Sequence, residues 1–301
     1  MTFTHLIALF RPRTLIAAFA PLLLGATFSY YTFLPIQPLF LSIGQTFLIL
    51  LVVLLAQIVA NMWNEYCDFK SGLDYGQTIG NAGSIVSGSI NPRTILNYIK
   101  VFSGIAFLIG LYLAMTITFW YIPAGIFCIL ISFCYSGGPF PISRTPFGEI
   151  ASGLAMGFAI VMITGYAWVH ELSLALLIPA IPSTALVAMI MLTNNIRDIN
   201  NDQSHGRRTL PIILGRQRAI NLMEIIFFFV CFWIIAWVYI HMLPILSLIT
   251  LLSIIPALKS IHILNTYSDT ANLDKAMSFT VKATMLYHLL LSLSLIISEL
   301  I

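Results

Sequence analysis

Apolar residues run through this chain in nine long, continuous stretches, separated by polar connections that alternate between short and long. A hydrocarbon core of roughly 30 Å needs about 20 apolar residues per helical crossing, and every backbone polar group inside it must be satisfied within the segment. The stretches meet that length. They predict nine membrane-spanning helices over residues 14–33, 40–63, 98–117, 119–136, 149–168, 173–196, 219–239, 243–259 and 278–298. The period-two alternation of a membrane barrel is absent from them. The expected fold is an all-α membrane protein, a single polytopic domain over 1–301, with spans one to four and five to eight as candidates for an internal repeat.

Composition agrees: 59% of residues are hydrophobic and only 8% are charged, far from soluble-domain values. Charge then sets the orientation, because Lys and Arg stay on the cytoplasmic face during insertion. On the nine-span pattern all 14 basic residues fall on one side, and the short connections near 34–39, 117–119, 169–172 and 240–242 carry none. This predicts a cell-membrane protein with its N-terminus and polar loops in the cytoplasm and its C-terminus opposite. The net charge of +3 therefore reflects topology and anionic lipid, with no basic and aromatic motif for nucleic acid. Residues 14–33 are not read as a cleaved leader, since Pro21 follows Ala18-Phe19-Ala20 and the apolar run continues past it. The four cysteines lack metal-ligand spacing and read as small buried hydrophobes without disulfides.

The acids are where the pattern breaks. Five of the eleven lie in two stretches, "NMWNEYCDFKSGLD" (61–74) and "NNIRDINNDQSHGRRTLPIILGR" (194–216), which end the second and sixth spans on the same side. Asn61, Asn64 and Asp68 stand at i, i+3 and i+7, and Asn195, Asp198 and Asp202 repeat the spacing, so each helix offers one polar stripe. Asp74 follows Gly72 and is expected in the next loop. Solvated helix ends would explain one such cluster, but two matching ones favour a site.

Carboxylates and Asn amides, with no His or Cys at ligand spacing, are hard oxygen donors suited to Mg²⁺. Magnesium keeps waters and shares its shell with substrate phosphates, so two carboxylate helices read as a diphosphate clamp. Asp68, Asp74, Asp198 and Asp202 are the candidate metal ligands. Lys70, Arg197, Arg207 and Arg208 are candidates for the remaining phosphate oxygens, with positive-inside topology as the competing explanation for each. The loops "GNAGSIVSGSINP" (80–92) and "YSGGPFPISRTPFGE" (135–149) are too polar to span and are placed to cap a pocket; neither contains a P-loop.

In these residues, together with "RPRTLIAAFAPLLLGA" at the start, the chain resembles the UbiA superfamily of membrane prenyltransferases, and within it the 1,4-dihydroxy-2-naphthoate branch of menaquinone synthesis. The resemblance implies nine helices around a central cavity open to the cytoplasm. It implies Mg²⁺-dependent transfer of a polyprenyl chain from a polyprenyl diphosphate to dihydroxynaphthoate, with loss of CO₂ and diphosphate. By position, Asn64, Asp68 and Asp74 take the first Asp-rich role and Asn195, Asp198 and Asp202 the second. Tyr135, Ser136 and Arg144, in the loop after span four, join the expected substrate-binding residues. One departure is Ser87, which stands where a basic residue is expected.

The implied chemistry needs charge stabilisation at the departing diphosphate, a dry site, and aromatic faces for an allylic cation. Trp63, Tyr66 and Tyr135 are close enough in sequence to be candidates for the last, with interfacial anchoring as the competing role. Two other readings stay open: the same chemistry on another acceptor, such as 4-hydroxybenzoate or haem, and an ion-coupled transporter. The latter needs acids near the bilayer midplane, whereas both clusters end their helices.

Overall fold

The computed structural model describes residues 9–33, 36–72 and 84–301. Among these there is no strand. Helices occupy every predicted span: α1 Pro12–Thr32, α2 Leu39–Ser71, α3 Pro92–Thr116, α4 Tyr121–Ser136, α5 Gly148–Ser152, α6 Ala159–Val169, α7 Leu177–Arg197, α8 Ile199–Ser204, α9 Leu210–Leu214, α10 Arg216–Tyr239, α11 Ile254–Thr266 and α12 Thr270–Leu300. A single π-helical turn, Gly153–Phe158, joins α5 to α6, and a 3₁₀ segment, Ile245–Ser253, leads into α11.

Length and apolarity single out seven membrane crossings among the described residues rather than nine. Of the other two expected spans, α4 has only 16 residues, and α1 is helical over its expected range but is described only in part. Large exposed hydrophobics such as Phe47, Leu108, Phe127, Phe228 and Phe232 cover the surface, as lipid-facing helices require. The chain is a multi-pass membrane protein.

Two compact units make up the chain, Met1–Ala18 with Ile43–Arg144, and Phe19–Ser42 with Thr145–Ile301. The first packs around Val59, Met62, Ile85, Ile95 and Ile99. The second has the larger core, built on Leu24, Phe28, Leu186, Met189, Ile220, Met223, Phe227 and Tyr287.

Several helices run past the spans that hydropathy predicts. The second continues through the polar residues 64–71, and α12 begins at Thr270, eight residues before the expected 278. Hydropathy marks only the hydrocarbon, whereas a helix persists through the headgroup zone wherever its ends are capped. Asn91 caps α3 by accepting from the Arg93 amide at 2.9 Å, with Pro92 at the first helical position. Asp269 caps α12 in the same way, accepting from the Asn272 amide at 3.1 Å.

In the second unit, Gly157 lets two backbones touch. A Cβ there would lie 2.6 Å from Thr184 Cα, and one at Gly153 would lie 2.6 Å from Thr184 O, so the Gly153-xxx-Gly157 face seats directly on α7. Without those two glycines the helix that carries Glu149 could not approach the one that carries Asn195.

Candidate active site

In the first unit, α2 carries the whole of its polar stripe on one helix. Asn61 and Asp68 are buried and Asn64 is half-buried. The Asn61 amide donates to Phe10 O at 3.1 Å, and Asn64 donates through Nδ2 to Ser136 Oγ at 3.0 Å while accepting from Arg11 Nη1 at 3.4 Å. These bonds draw the segment before α1 and the end of α4 to the stripe, so predicted residues Asn64 and Ser136 do meet. Arg144 closes the short 3₁₀ turn Ile142–Arg144 and belongs to the same unit. Lys70 itself is exposed, and Tyr135 sits next to Ser136 at the end of α4. Asp74 lies outside the described residues, as do positions 80–83 of the following loop.

Glu65 has a different task. Its Oε1 accepts from the amides of Ser84 at 2.7 Å and Ile85 at 3.3 Å, so a carboxylate that is only 1% exposed ties the loop after the first acidic stretch back onto α2. Beyond it, the Ser87 hydroxyl bonds to Ser89 Oγ at 2.8 Å, and the loop presents no cation at that position. Trp63 is a packing residue. It stacks on Tyr66 with centroids 5.7 Å apart, donates to Phe133 O at 2.9 Å, and leaves room at Gly137 only for a hydrogen. The stack covers one face of each of the two rings that the sequence offered for an allylic cation.

In the second unit, α7 ends at Arg197 and α8 starts at Ile199, with Asp198 at the junction (φ −94°, ψ 8°). The Asp202 amide still donates to Asp198 O at 2.9 Å, so the turn continues and the stripe survives. Burial repeats as well: Asn195 and Asp202 are buried and Asp198 is half-buried, position for position as in Asn61, Asp68 and Asn64.

The charges here are paired with one another. Arg197 donates to both oxygens of Asp198, from Nε at 2.8 Å and Nη2 at 2.7 Å, and also to Asp274 Oδ1 at 3.0 Å and Asn194 Oδ1 at 2.9 Å. Arg207 Nη1 lies 3.2 Å from Asp202 Oδ1, and Arg208 is exposed. Asn195 donates to Glu149 Oε1 at 2.8 Å. Glu149 is 3% exposed, and its Oε2 has no hydrogen-bond partner among the described residues. An unsatisfied buried carboxyl oxygen is costly, which makes Glu149 a candidate to hold a ligand or ion.

The side chains of Arg11 and Glu65 in the first unit, and of Glu149, Asn194 and Asp274 in the second, were not singled out for the site from the sequence. An acid that opens an apolar span, as Glu149 does, is a legible signal. Asp274 gives none, because its partner lies 77 residues away.

Known proteins now bear on the site. The model of the UbiA prenyltransferase family matches residues 18–289. This chain belongs to the UbiA prenyltransferase family. It is a membrane prenyltransferase. It is 34% identical over 288 residues, 96% of its own length and 91% of the relative's, to the 1,4-dihydroxy-2-naphthoate octaprenyltransferase of Bacillus subtilis. The protein of the same name from Escherichia coli is 28% identical over 217 residues, 69% of this chain and 68% of the other. Among solved structures, the UbiA homologue from Aeropyrum pernix aligns with a TM-score of 0.70 at 16% identity, covering 96% of this chain and 98% of that one. A UbiA homologue from Archaeoglobus fulgidus bound to DMAPP and Mg²⁺ aligns at 0.62 and 18% identity, covering 94% and 98%. These two likenesses establish the UbiA fold for the chain.

The residues present can be tested against a divalent ion. Among the described residues no three acids, histidines or cysteines converge as a closed metal cage. The donors are all oxygen, and Glu149 Oε2 is buried and without a partner, which suits a hard cation that shares its shell with substrate and water. Asp198 is held by two bonds from Arg197, so it could join such a donor set only where the guanidinium had other oxygens to bond.

Proposed function

We propose that this enzyme transfers a polyprenyl chain from a polyprenyl diphosphate to 1,4-dihydroxy-2-naphthoate, with loss of CO₂ and diphosphate, to give demethylmenaquinol. The observation that carries the reading is the 34% identity to the Bacillus subtilis octaprenyltransferase, sustained over 96% of this chain and 91% of that protein. The two matched polar triads support it.

In this reading Asn64, Asp68 and Asp74 serve the first Asp-rich site and Asn195, Asp198 and Asp202 the second. Bound Mg²⁺ supplies positive charge that stabilises the departing diphosphate. Lys70, Arg144, Arg197, Arg207 and Arg208 neutralise the phosphate oxygens that the metal leaves free, and Tyr135 and Ser136 line the substrate's approach. Glu149 holds the Asn195 amide in register, and Glu65 holds the loop at Ser84 and Ile85 over the end of α2. The bond between the prenyl C1 and its oxygen breaks with its electron pair going to diphosphate. The electron-rich naphthoate carbon that bears the carboxylate bonds to C1, and the carboxylate leaves as CO₂, returning its pair to the ring. Low water content keeps the allylic cation from hydrolysis.

The one-sided distribution of basic residues supports a topology with the N-terminus and both acidic stretches at the cytoplasmic face of the cell membrane and the C-terminus on the other side. The repeated spacing and burial of the two triads support an internal repeat of spans one to four and five to eight.

The test is purified enzyme in detergent with Mg²⁺, a polyprenyl diphosphate and either dihydroxynaphthoate or 4-hydroxybenzoate, with products weighed by mass spectrometry. Prenylated, decarboxylated naphthoquinol only with the first acceptor is expected. Product only with the second, or unchanged yield after chelation of divalent metal, overturns the reading.

A further inference from the structure

The last two spanning segments, Ile245–Thr266 and Thr270–Leu300, each carry a lysine well inside their helical length, Lys259 and Lys282. Their ammonium groups converge on one ring: Lys259 Nζ lies 5.8 Å and Lys282 Nζ 5.2 Å from the centroid of Phe279. The ring's negative face offsets part of the repulsion between them. Neither lysine is paired with an acid among the described residues. Two like charges are therefore gathered at the edge of a lipid-facing surface without a counter-charge from the protein.

A cavity of ≈ 400 Å³ opens at the same place, lined by Leu258, Lys259, His262, Ile263 and Phe279. Away from it run two exposed apolar stripes, Leu252, Ile255 and Leu258 toward the start of one segment, and Leu293 and Ile297 toward the end of the other. On α12 the positions 282, 293 and 297 share a face, since they are separated by whole numbers of helical turns to within a fraction of a residue. Charge at the end of an exposed apolar surface matches a phospholipid, with its anionic headgroup at the boundary and its chains below it.

We propose that Lys259 and Lys282, with Phe279 between them and His262 at the rim, form a binding site for an anionic phospholipid, its phosphate against the two ammonium groups and its acyl chains along the Leu252–Ile255–Leu258 stripe. The site is separate from the acidic stretches and does not depend on which acceptor the enzyme prenylates. Anionic lipid is available on this face because the bilayer itself delivers it, and juxtamembrane lysines are attracted to it. Long lysine stems reaching from apolar helices bring the charge to headgroup depth.

The test uses the full-length purified protein, delipidated and then exchanged into nanodiscs of phosphatidylcholine with or without phosphatidylglycerol. Native mass spectrometry reads the retained phospholipid. Wild type is expected to keep phosphatidylglycerol in preference to phosphatidylcholine, and the Lys259→Gln/Lys282→Gln double variant to bind it about 30-fold more weakly. Lys275→Gln, which removes a lysine that hydrogen-bonds Asn272 outside the cavity, is expected to leave the preference unchanged. Equal retention of both lipids by wild type, or the same loss from Lys275→Gln, overturns the site. Inorganic phosphate displacing the lipid at matched concentration would assign the lysines to a soluble anion and overturn the lipid as ligand. Should the double variant fail to fold, Phe279→Leu keeps both charges and removes the ring, and unchanged lipid affinity there contradicts the proposal.

Discussion

Glu149 and Asn195, one at the start of a spanning helix and the other near the end of its neighbour, share a buried hydrogen bond of 2.8 Å. Only one carboxyl oxygen of Glu149 is used; Oε2 is left without a partner among the described residues. Glu149→Ala leaves the Asn195 amide unsatisfied as well, and is expected to destabilise the protein by about 1–3 kcal/mol. Glu149→Gln keeps an acceptor for Asn195 and relieves the buried charge, so stability should hold while prenyl transfer falls by about tenfold or more. Thermal unfolding in detergent beside product formation separates the two effects. Full activity in Glu149→Gln would reduce Glu149 to a packing group.

Arg197 is shared among Asp198, Asp274 and Asn194. Asp274 is 38% exposed at its side chain, so its share is screened, and Asp274→Asn is expected to cost about 0.5–1 kcal/mol of stability. Its larger effect should be on catalysis, because an Arg197 that has lost the Asp274 charge is left to Asp198 as its one carboxylate partner and gives it up to a metal less readily. A raised Mg²⁺ requirement in Asp274→Asn, measured as the metal concentration for half-maximal rate, is the expected result.

Gly157 and Gly110 make a controlled pair. A Cβ at Gly157 meets Thr184 Cα at 2.6 Å, whereas one at Gly110 meets nothing within 4 Å. Gly157→Ala is expected to cost about 1–3 kcal/mol through overpacking. Gly110→Ala should be neutral or slightly stabilising by helix propensity. Unfolding midpoints of the two variants in one detergent give the comparison.

Asp269 accepts from both the backbone amide and the side-chain amide of Asn272, at 3.1 and 2.8 Å, and these bonds hold its carboxyl below the ordinary aspartate range. A folded-state value below the unfolded one means the cap contributes fully above the ordinary aspartate pKa and is lost as pH falls through the lower, folded value. Protection of the Asn272 and Leu273 amides, measured as exchange relative to the intrinsic rate at each pH, should therefore fall on acidification in wild type and be low at every pH in Asp269→Ala.

Much of this was legible in the amino-acid order. Apolar runs located the helices because a backbone in hydrocarbon must close its own hydrogen bonds, and the 3.6-residue period placed Asn61, Asn64 and Asp68 on one side of α2. Hydropathy stopped that span at 63 because it measures the oily layer, while the helix runs on to Ser71. It also predicted nine crossings, whereas length and composition of the observed helices give seven among the described residues. The partners of the acidic residues were not legible. Arg197 was read as a phosphate ligand and Asp198 as a metal ligand, yet here they hold each other, and nothing local announces Asp274 or the amides of Ser84 and Ile85. Those pairings depend on tertiary approach, for which Gly157 leaves a trace in sequence and the charged residues leave none.

The central proposal is that Asp68 and Asp198 are each needed for the divalent-ion-dependent release of diphosphate from the prenyl donor. The direct measurement is the release of CO₂ from carboxyl-labelled dihydroxynaphthoate, counted against pyrophosphate, in wild type, Asp68→Asn and Asp198→Asn at several Mg²⁺ concentrations. Equal amounts of the two products in wild type, dependent on Mg²⁺ and lowered by about a hundredfold or more in each folded variant, is the predicted result. Undiminished release in both variants, or release that ignores Mg²⁺, would contradict it.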